Sequence, residues 1–229
     1  TRELSLLHDA FAKTRRGELA GVTLEGASGV GKSALVRHFL EEARSQSEAP
    51  IVFSGRCYER ESVPYKAFDE VVDALSQHLL SLTDAERHAL RPAQHTRALA
   101  RLFPALRVIA EAEETLETTP DALDARELRR QAFGALKALL GRMAATRPVI
   151  VSIDDMQWGD PDSMALLEEL LRAPDAPALL LLVSHREARR DDRSSSANDS
   201  REASSVLGLL DKAIKSTASS WTHVFVPPL

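Results

Sequence analysis

Residues 26–33 decide the fold, and they read Gly26-Ala27-Ser28-Gly29-Val30-Gly31-Lys32-Ser33. They match the pattern G-x-x-x-x-G-K-[ST], in which the glycines allow backbone N–H groups to turn inward around a phosphate. Residues 22–25 predict a short strand before the loop, and residues 32–44 predict an amphipathic helix after it. That helix would point the positive end of its dipole at the same anion. The stretch therefore predicts a phosphate-binding loop between a strand and a helix.

Two side chains of this loop indicate a nucleotide and a metal ion as ligands. Lys32 can reach the β- and γ-phosphates of ATP, and the hydroxyl of Ser33 can ligate Mg²⁺. The alternative is a glycine-rich turn that matches the pattern by chance. The strand and the helix on either side of the loop favour the functional interpretation.

A second candidate site follows the hydrophobic run of residues 149–153, which predicts a strand buried on both faces. Asp154 and Asp155 stand at the carboxyl end of that strand, the edge at which ligands bind in open α/β sheets. Because successive side chains alternate in direction, Asp154 can address the metal, through water or Ser33, while Asp155 polarises the attacking water. The alternative is a solvated turn after the strand.

Composition limits the classes of function. The chain has 229 residues, of which 44% are hydrophobic, and this is enough for one sizeable core. A formal net charge of −5 argues against a broad nucleic-acid-binding surface. Cys57 is the only cysteine, which excludes an intramolecular disulfide and a cysteine-rich zinc site, and its position predicts a small buried side chain. The longest apolar run, residues 178–183, is too short to span a bilayer, so we expect a soluble, cytoplasmic protein.

Strands and helices alternate along the chain, a pattern that predicts a parallel sheet with crossover helices. Predicted strands cover residues 22–25, 51–54, 149–153, 178–184 and 222–226. Predicted helices cover residues 2–13, 32–44, 65–80, 124–145, 161–172 and 206–217, with a further charged helical stretch at 83–119 that Pro104 divides. Gly17 and Gly21 are expected to bracket a turn, and the serine-rich residues 191–205 are expected to form a mobile loop.

Three runs taken together resemble a known family. They are the loop of residues 26–33, the run Ile153-Asp154-Asp155-Met156-Gln157-Trp158-Gly159-Asp160, and the run Leu181-Leu182-Val183-Ser184-His185-Arg186. They are similar to the signal-transduction ATPases with numerous domains (STAND), within the AAA+ and ASCE P-loop ATPases. Residues 55–65 also resemble the version fused to bacterial serine/threonine protein kinases, adenylate cyclases or transcriptional activators.

The resemblance implies an α/β, three-layer P-loop NTPase fold with five parallel strands in the order 5-1-4-3-2. A helical insertion of about residues 65–146 would lie between strands 2 and 3 of a single core domain, residues 1–229. The resemblance also implies that Arg186 occupies a sensor position close to the γ-phosphate. The alternative for Arg186 is a surface residue in the charged run of residues 186–190.

The function that the resemblance implies is a regulatory switch that binds ATP or ADP and biases an effector domain of the same polypeptide. That effector would be a kinase, a cyclase or a DNA-binding domain, and nucleotide-dependent self-association is a further expectation. Two features depart from the family, since the usual Gly-Arg pair does not precede the first helix and the sequence stops before a lid and a winged-helix domain. We therefore expect slow ATP hydrolysis. A phosphotransferase that acts on a small molecule and a DNA-handling AAA+ ATPase are the alternatives.

Overall fold

Five parallel strands form one sheet in a computed structural model that describes residues 1–59, 63–110, 124–187, 197–215 and 220–227. The strands are β1 (Ala20–Gly26), β2 (Ile51–Arg56), β3 (Val149–Asp154), β4 (Leu179–Arg186) and β5 (Ser220–Phe225). Their order across the sheet is β2-β3-β4-β1-β5. This order, read from the opposite edge, is 5-1-4-3-2, so the predicted topology is confirmed.

Helices cover both faces of the sheet. They are α1 (Arg2–Thr14), α2 (Lys32–Arg44), α3 (Lys66–Ser81), α4 (Asp84–Leu90), α5 (Thr96–Leu102), α6 (Ala125–Ala144), α7 (Pro161–Leu171) and α8 (Ala197–Lys215). Short 3-10 turns span Pro104–Ile109 and Met156–Trp158. Helices α3 to α6 lie between β2 and β3 along the chain. No helix in the described part of the chain is long and apolar enough to cross a membrane.

The continuous hydrophobic runs of β3 and β4 are explained by burial on both faces. In β4, Leu180 and Leu182 pack into a cluster with α1 and α2, whereas Leu179, Leu181 and Val183 pack into a larger cluster with the helices of the other layer. Strand residues point alternately to the two faces, so a strand that is covered on both sides is apolar at nearly every position, with Ser152 as the buried exception in β3. These two strands form the centre of the fold.

The strand register brings the candidate site residues to one edge of the sheet. Gly26 of β1 pairs with Arg186 of β4, and Arg56 of β2 pairs with Asp154 of β3. All the strands are parallel, so their carboxyl ends meet along the same edge. The loop that begins at Gly26, the acidic pair after β3 and the end of β4 are therefore neighbours.

Most predicted elements agree with the structure within two residues, but the start of the last helix does not. Helix α8 begins at Ala197, so the loop prediction is wrong for residues 197–205, while residues 191–196 lie outside the described residues. The second half of α8 anchors it to the core through Val206, Leu210 and Ile214. Once a helix is nucleated, each added residue gains a hydrogen bond. The packed second half of α8 can therefore extend the helix backward through residues 197–205, although their helix propensity is weak.

Two further regions differ from the sequence prediction. The stretch predicted as helical at 83–119 forms α4, α5 and the 3-10 turn that begins at Pro104, and its residues 111–119 lie outside the described residues. Gly21 belongs to β1 rather than to a turn. The indole ring of Trp221 from β5 covers Gly21 so closely that a Cβ there would overlap the ring. Trp221 Nε1 also donates to Thr23 Oγ1 at 2.6 Å, so the ring is held in that position.

We predict that Gly21→Ala destabilises the protein by about 1–3 kcal/mol, because an added methyl group would displace the indole of Trp221 from a well-packed position. The free energy of urea unfolding measures the effect. Gly134→Ala is the matched control, since a Cβ at this α6 position meets no atom within 4 Å and alanine is the better helix former. A Gly21→Ala variant as stable as Gly134→Ala would contradict the packing argument.

Candidate active site

The predicted phosphate loop joins β1 to α2, and its shape depends on glycine. Gly29 has φ of 79° and Gly31 has φ of 98°, in the left-handed region that L-residues with a side chain rarely adopt. Gly31 is also the residue that precedes the first turn of α2. The free backbone N–H groups of that turn, together with the helix dipole, can accept an anion.

Lys32 lies in the mouth of this loop and is buried. Its Nζ donates to the carbonyl oxygens of Gly26 at 2.8 Å and Ala27 at 3.0 Å. Burial lowers the pKa of the Lys32 ammonium and the charge of Arg186 adds to that effect, while Asp155 and Asp154 oppose it. An anion bound in the loop would offset the cost of burying this cation.

Asp154 connects the loop to two strands. Ser33 Oγ donates to Asp154 Oδ2 at 2.7 Å, and Ser184 Oγ of β4 donates to Asp154 Oδ1. The backbone N–H of Asp155 also donates to Asp154 Oδ1, at 3.1 Å. The sequence placed Ser33 and Asp154 at one metal site, and the structure brings these two side chains into contact.

The donor set fits Mg²⁺. A hydroxyl and a single carboxylate are hard oxygen ligands, and Mg²⁺ is commonly held by one or two carboxylates together with water and substrate phosphates. Within the described residues, no group of three or more His, Cys, Asp or Glu side chains could hold a metal ion by itself. Ser33 and Asp154 would therefore share the ion with phosphate oxygens.

Asp155 is held by two partners that the sequence did not reveal. Its Oδ2 accepts from Arg56 Nε at 3.1 Å and Arg56 Nη2 at 2.6 Å, and its Oδ1 accepts from Gln157 Nε2 at 2.9 Å. Burial raises the pKa of Asp155, but the hydrogen bonds from Gln157 and Arg56 outweigh it and hold the pKa below its ordinary value. The side chain is therefore an ionised carboxylate with both oxygens engaged.

Arg186 is brought to the same site at the end of β4. Its backbone N–H donates to Gln157 Oε1 at 3.0 Å, and the next backbone N–H, of Glu187, donates to the carbonyl of Gly26 at 3.3 Å. After burial and the nearer groups, the charge of Arg186 also lowers the pKa of both Lys32 and Asp155. The following residues of its charged run, 188–190, lie outside the described residues.

Asp160 is the last acidic residue of the run 153–160, and its carboxylate accepts hydrogen bonds at the starts of two helices. Its Oδ1 accepts from the backbone N–H of Ser163 at 2.9 Å and of Tyr65 at 3.1 Å, and its Oδ2 accepts from Lys66 N at 3.1 Å and from the Ser163 hydroxyl. One carboxylate therefore caps α7 and the start of α3, which are far apart in the sequence. This contact fixes the helical insertion beside the candidate site.

Two other residues of this region have packing roles. Trp158 packs, partly buried, against the larger hydrophobic cluster. Cys57 is buried, and burial raises the pKa of its thiol to about 12, which keeps the sulfur in its unreactive neutral form. The structure confirms that Cys57 is a small buried side chain.

A cavity of about 330 Å³ opens beside Ser33 and Asp154, between α2 and the strands β2 and β3. Its lining includes Arg37, Arg44 and Arg56. The cavity gives space next to the position expected for the metal and the terminal phosphate.

Comparison with known families agrees with this geometry. A family model described as "AAA ATPase domain" matches residues 1–183, which is most of the chain and includes the phosphate loop and the acidic strand end. The chain belongs to the AAA ATPase domain family. The matched range ends within β4, so Arg186 and β5 lie beyond it.

Solved structures similar to this AAA ATPase domain include Drosophila ORC bound to DNA, at 12% identity and a TM-score of 0.46, covering 99% of this chain and 94% of that one. Drosophila ORC bound to GC-rich DNA and Cdc6 matches at 12% identity and a TM-score of 0.46, over 99% of this chain and 57% of that one. Drosophila ORC bound to AT-rich DNA and Cdc6 matches over the same shares, at 12% identity and a TM-score of 0.45. No curated protein matches the chain.

We predict that Asp160→Ala destabilises the AAA ATPase domain by about 2–3 kcal/mol, since one substitution removes the cap of α7 and the contact that begins α3. Urea unfolding measures the loss. Thr83→Ala is the matched control, because Thr83 caps only α4 and should cost about 1 kcal/mol. Equal losses in the two variants would show that Asp160 acts on a single helix.

Proposed function

We propose that this AAA ATPase domain binds Mg-ATP at residues 26–33 and hydrolyses it slowly, as a regulatory switch within a multidomain signalling protein. The observation that carries the proposal is the 2.7 Å hydrogen bond between Ser33 and Asp154. It joins the phosphate loop to the carboxyl end of β3, where Asp154 and Asp155 lie, so one ligand can contact both. That juxtaposition is what a metal-bound triphosphate requires.

In this proposal the residues of the loop bind the phosphates. Backbone N–H groups of residues 26–33 surround the β-phosphate, and Lys32 exchanges the carbonyls of Gly26 and Ala27 for phosphate oxygens. Ser33 and Asp154 would hold the ion, which would supply positive charge to the phosphate oxygens. Arg186 adds a further positive charge toward the γ-phosphate.

Asp155 is the proposed base that accepts a proton from the attacking water. The carboxylate is ionised at neutral pH, as a proton acceptor must be, but its lowered pKa makes it a weak base. Both carboxylate oxygens are hydrogen-bonded, and Arg56 donates two N–H groups to one of them. Water can still approach Oδ1, which accepts only one hydrogen bond from the described residues, but the Arg56 charge on Oδ2 weakens the carboxylate as a base and supports slow hydrolysis.

The switch role rests on the chemical difference between ATP and ADP. Lys32, the metal site and Arg186 would contact a γ-phosphate that ADP lacks, so the two nucleotides would stabilise different states of the domain. Shifting a two-state equilibrium from 1:99 to 99:1 requires a difference of about 5.5 kcal/mol in binding. The similarity of residues 153–160 and 181–186 to signal-transduction ATPases supports an effector domain, such as a kinase, a cyclase or a DNA-binding domain, as the element that responds. Nucleotide-dependent self-association is a second route for that response.

A phosphotransferase that acts on a small molecule is the second candidate, and the cavity beside Ser33 and Asp154 favours it because an acceptor would fit there. Steady-state phosphate release separates the two functions. The ATPase releases phosphate from ATP without any acceptor, whereas a phosphotransferase requires one. We expect acceptor-independent release below the roughly 1–100 s⁻¹ typical of kinases.

Lys32→Ala should weaken ATP binding at least tenfold, or about 1.4 kcal/mol, since the phosphate charge loses its buried counter-charge. Isothermal titration with Mg-ATP measures the change. Lys215→Ala is the control, because Lys215 is an exposed residue of α8 that pairs with Asp211. Unchanged affinity in Lys32→Ala would refute the phosphate-loop assignment.

Substitutions of the two aspartates should have different effects. Asp154→Ala should weaken the dependence of ATP binding on Mg²⁺, because the carboxylate ligand is lost. Asp155→Asn should retain ATP affinity and lower kcat, because it removes a proton acceptor and changes little volume. The titration of ATP with and without Mg²⁺ and the rate of phosphate release measure the two effects. Hydrolysis at the wild-type rate in Asp155→Asn would exclude Asp155 as the base.

A further inference from the structure

Gln157 has a buried amide that makes two hydrogen bonds, one through each of its polar atoms. Its side-chain Nε2 donates to Asp155 Oδ1 at 2.9 Å, and its Oε1 accepts from the backbone N–H of Arg186 at 3.0 Å. The residue is only 5% exposed. The partners fix the orientation of the amide, because the reverse would face oxygen to carboxylate and NH₂ to N–H.

The position requires a donor and an acceptor on one planar group. A glutamate carboxylate can accept from Arg186 but cannot donate to Asp155. Asparagine carries the same amide on a shorter side chain, so it cannot span both partners from the same backbone position. A leucine would fill the volume and satisfy neither partner.

The backbone around Gln157 holds the amide in place. Asp155 has φ of 56°, and the 3-10 turn Met156–Trp158 then carries Gln157 back over the Asp155 carboxylate. Met156 is fully buried, and Trp158 donates its backbone N–H to the Asp155 carbonyl at 3.0 Å. The turn is therefore anchored on both sides of Gln157.

The second partner of Gln157 is connected to the phosphate loop. Arg186 pairs with Gly26 across β4 and β1, and Glu187 N–H donates to the Gly26 carbonyl. Lys32 Nζ donates to the same carbonyl oxygen. A displacement of the end of β4 would therefore also move the Gly26 carbonyl, and with it the hydrogen bond from Lys32.

We propose that Gln157 is a positioning residue that fixes the Asp155 carboxylate and the end of β4 relative to each other, so that the base and Arg186 meet the terminal phosphate as one unit. The inference rests on the proposed function and deepens it. Both groups act only on a γ-phosphate, so Gln157 contributes to the preference for ATP over ADP as well as to the rate.

The direct test follows the backbone N–H of Arg186 by amide hydrogen exchange in the nucleotide-free protein. Gln157→Leu should accelerate exchange at Arg186 about tenfold, because the acceptor is lost. Gln131→Leu is the matched control, since Gln131 donates to the Glu127 carboxylate on α6. Full protection of Arg186 in Gln157→Leu would overturn the inference.

The functional test introduces Gln157→Leu into the wild-type protein and into the Arg186→Ala variant. Gln157→Leu should lower kcat about tenfold and raise KM about fivefold, because the positioned groups contact the γ-phosphate and KM follows ATP affinity when hydrolysis is slow. It should also lower the ratio of ATP to ADP affinity about fivefold in the wild type, but less than twofold in Arg186→Ala, where the positioned cation is absent. A merely structural role would give the same loss in both backgrounds and would overturn the proposal.

Failure of the proposed ATPase function and failure of the positioning role of Gln157 would give different results. A wild-type protein that binds no nucleotide would refute the proposed function, while the exchange measurement would still decide whether Gln157 holds the end of β4. A wild-type protein that binds ATP without hydrolysing it leaves the affinity ratios as the deciding measurement. Equal ratios in wild type and Gln157→Leu would then reject the positioning role.

Discussion

The hydrogen bonds that Asp154 accepts from Ser33 and Ser184 are the constraint on which the rest of the site depends. Ser33 belongs to the first turn of α2, and Ser184 to β4, so one carboxylate joins the loop, β3 and β4. The strand order makes this possible, because β4 lies between β1 and β3. Without that order the loop and the acidic pair would be on separate parts of the sheet.

A continuous set of hydrogen bonds then crosses the carboxyl edge of the sheet. It runs from Arg56 on β2 to Asp155, from Asp155 to Gln157, and from Gln157 to the end of β4. The Glu187 N–H completes it at Gly26, where β1 enters the loop. Each bond is local, but together they place the edge strand and the phosphate loop in one network, in which a change at either end can affect the other.

The family resemblance implied the sheet order that the structure has, and the two short motifs predicted that Ser33 and Asp154 lie together, as they do. The sequence did not predict the partners of Asp155. Arg56 lies 99 positions from Asp155, and only the pairing of β2 with β3 brings the two together. The double cap by Asp160 was missed for the same reason, since Tyr65 and Lys66 are distant in sequence. The early start of α8 was missed because residues 197–205 have a loop-like composition, and packing of the later residues decides their conformation.

The anchor between Asp160 and the helical insertion consists of backbone N–H groups, those of Tyr65 and Lys66. Every amino acid except proline carries such a donor, so the attachment does not depend on which side chains the insertion displays. Substitutions on the outward surface of α3 to α6 would therefore leave these two hydrogen bonds to Asp160 intact. A recognition surface could be rebuilt on this layer without loss of its link to the acidic run.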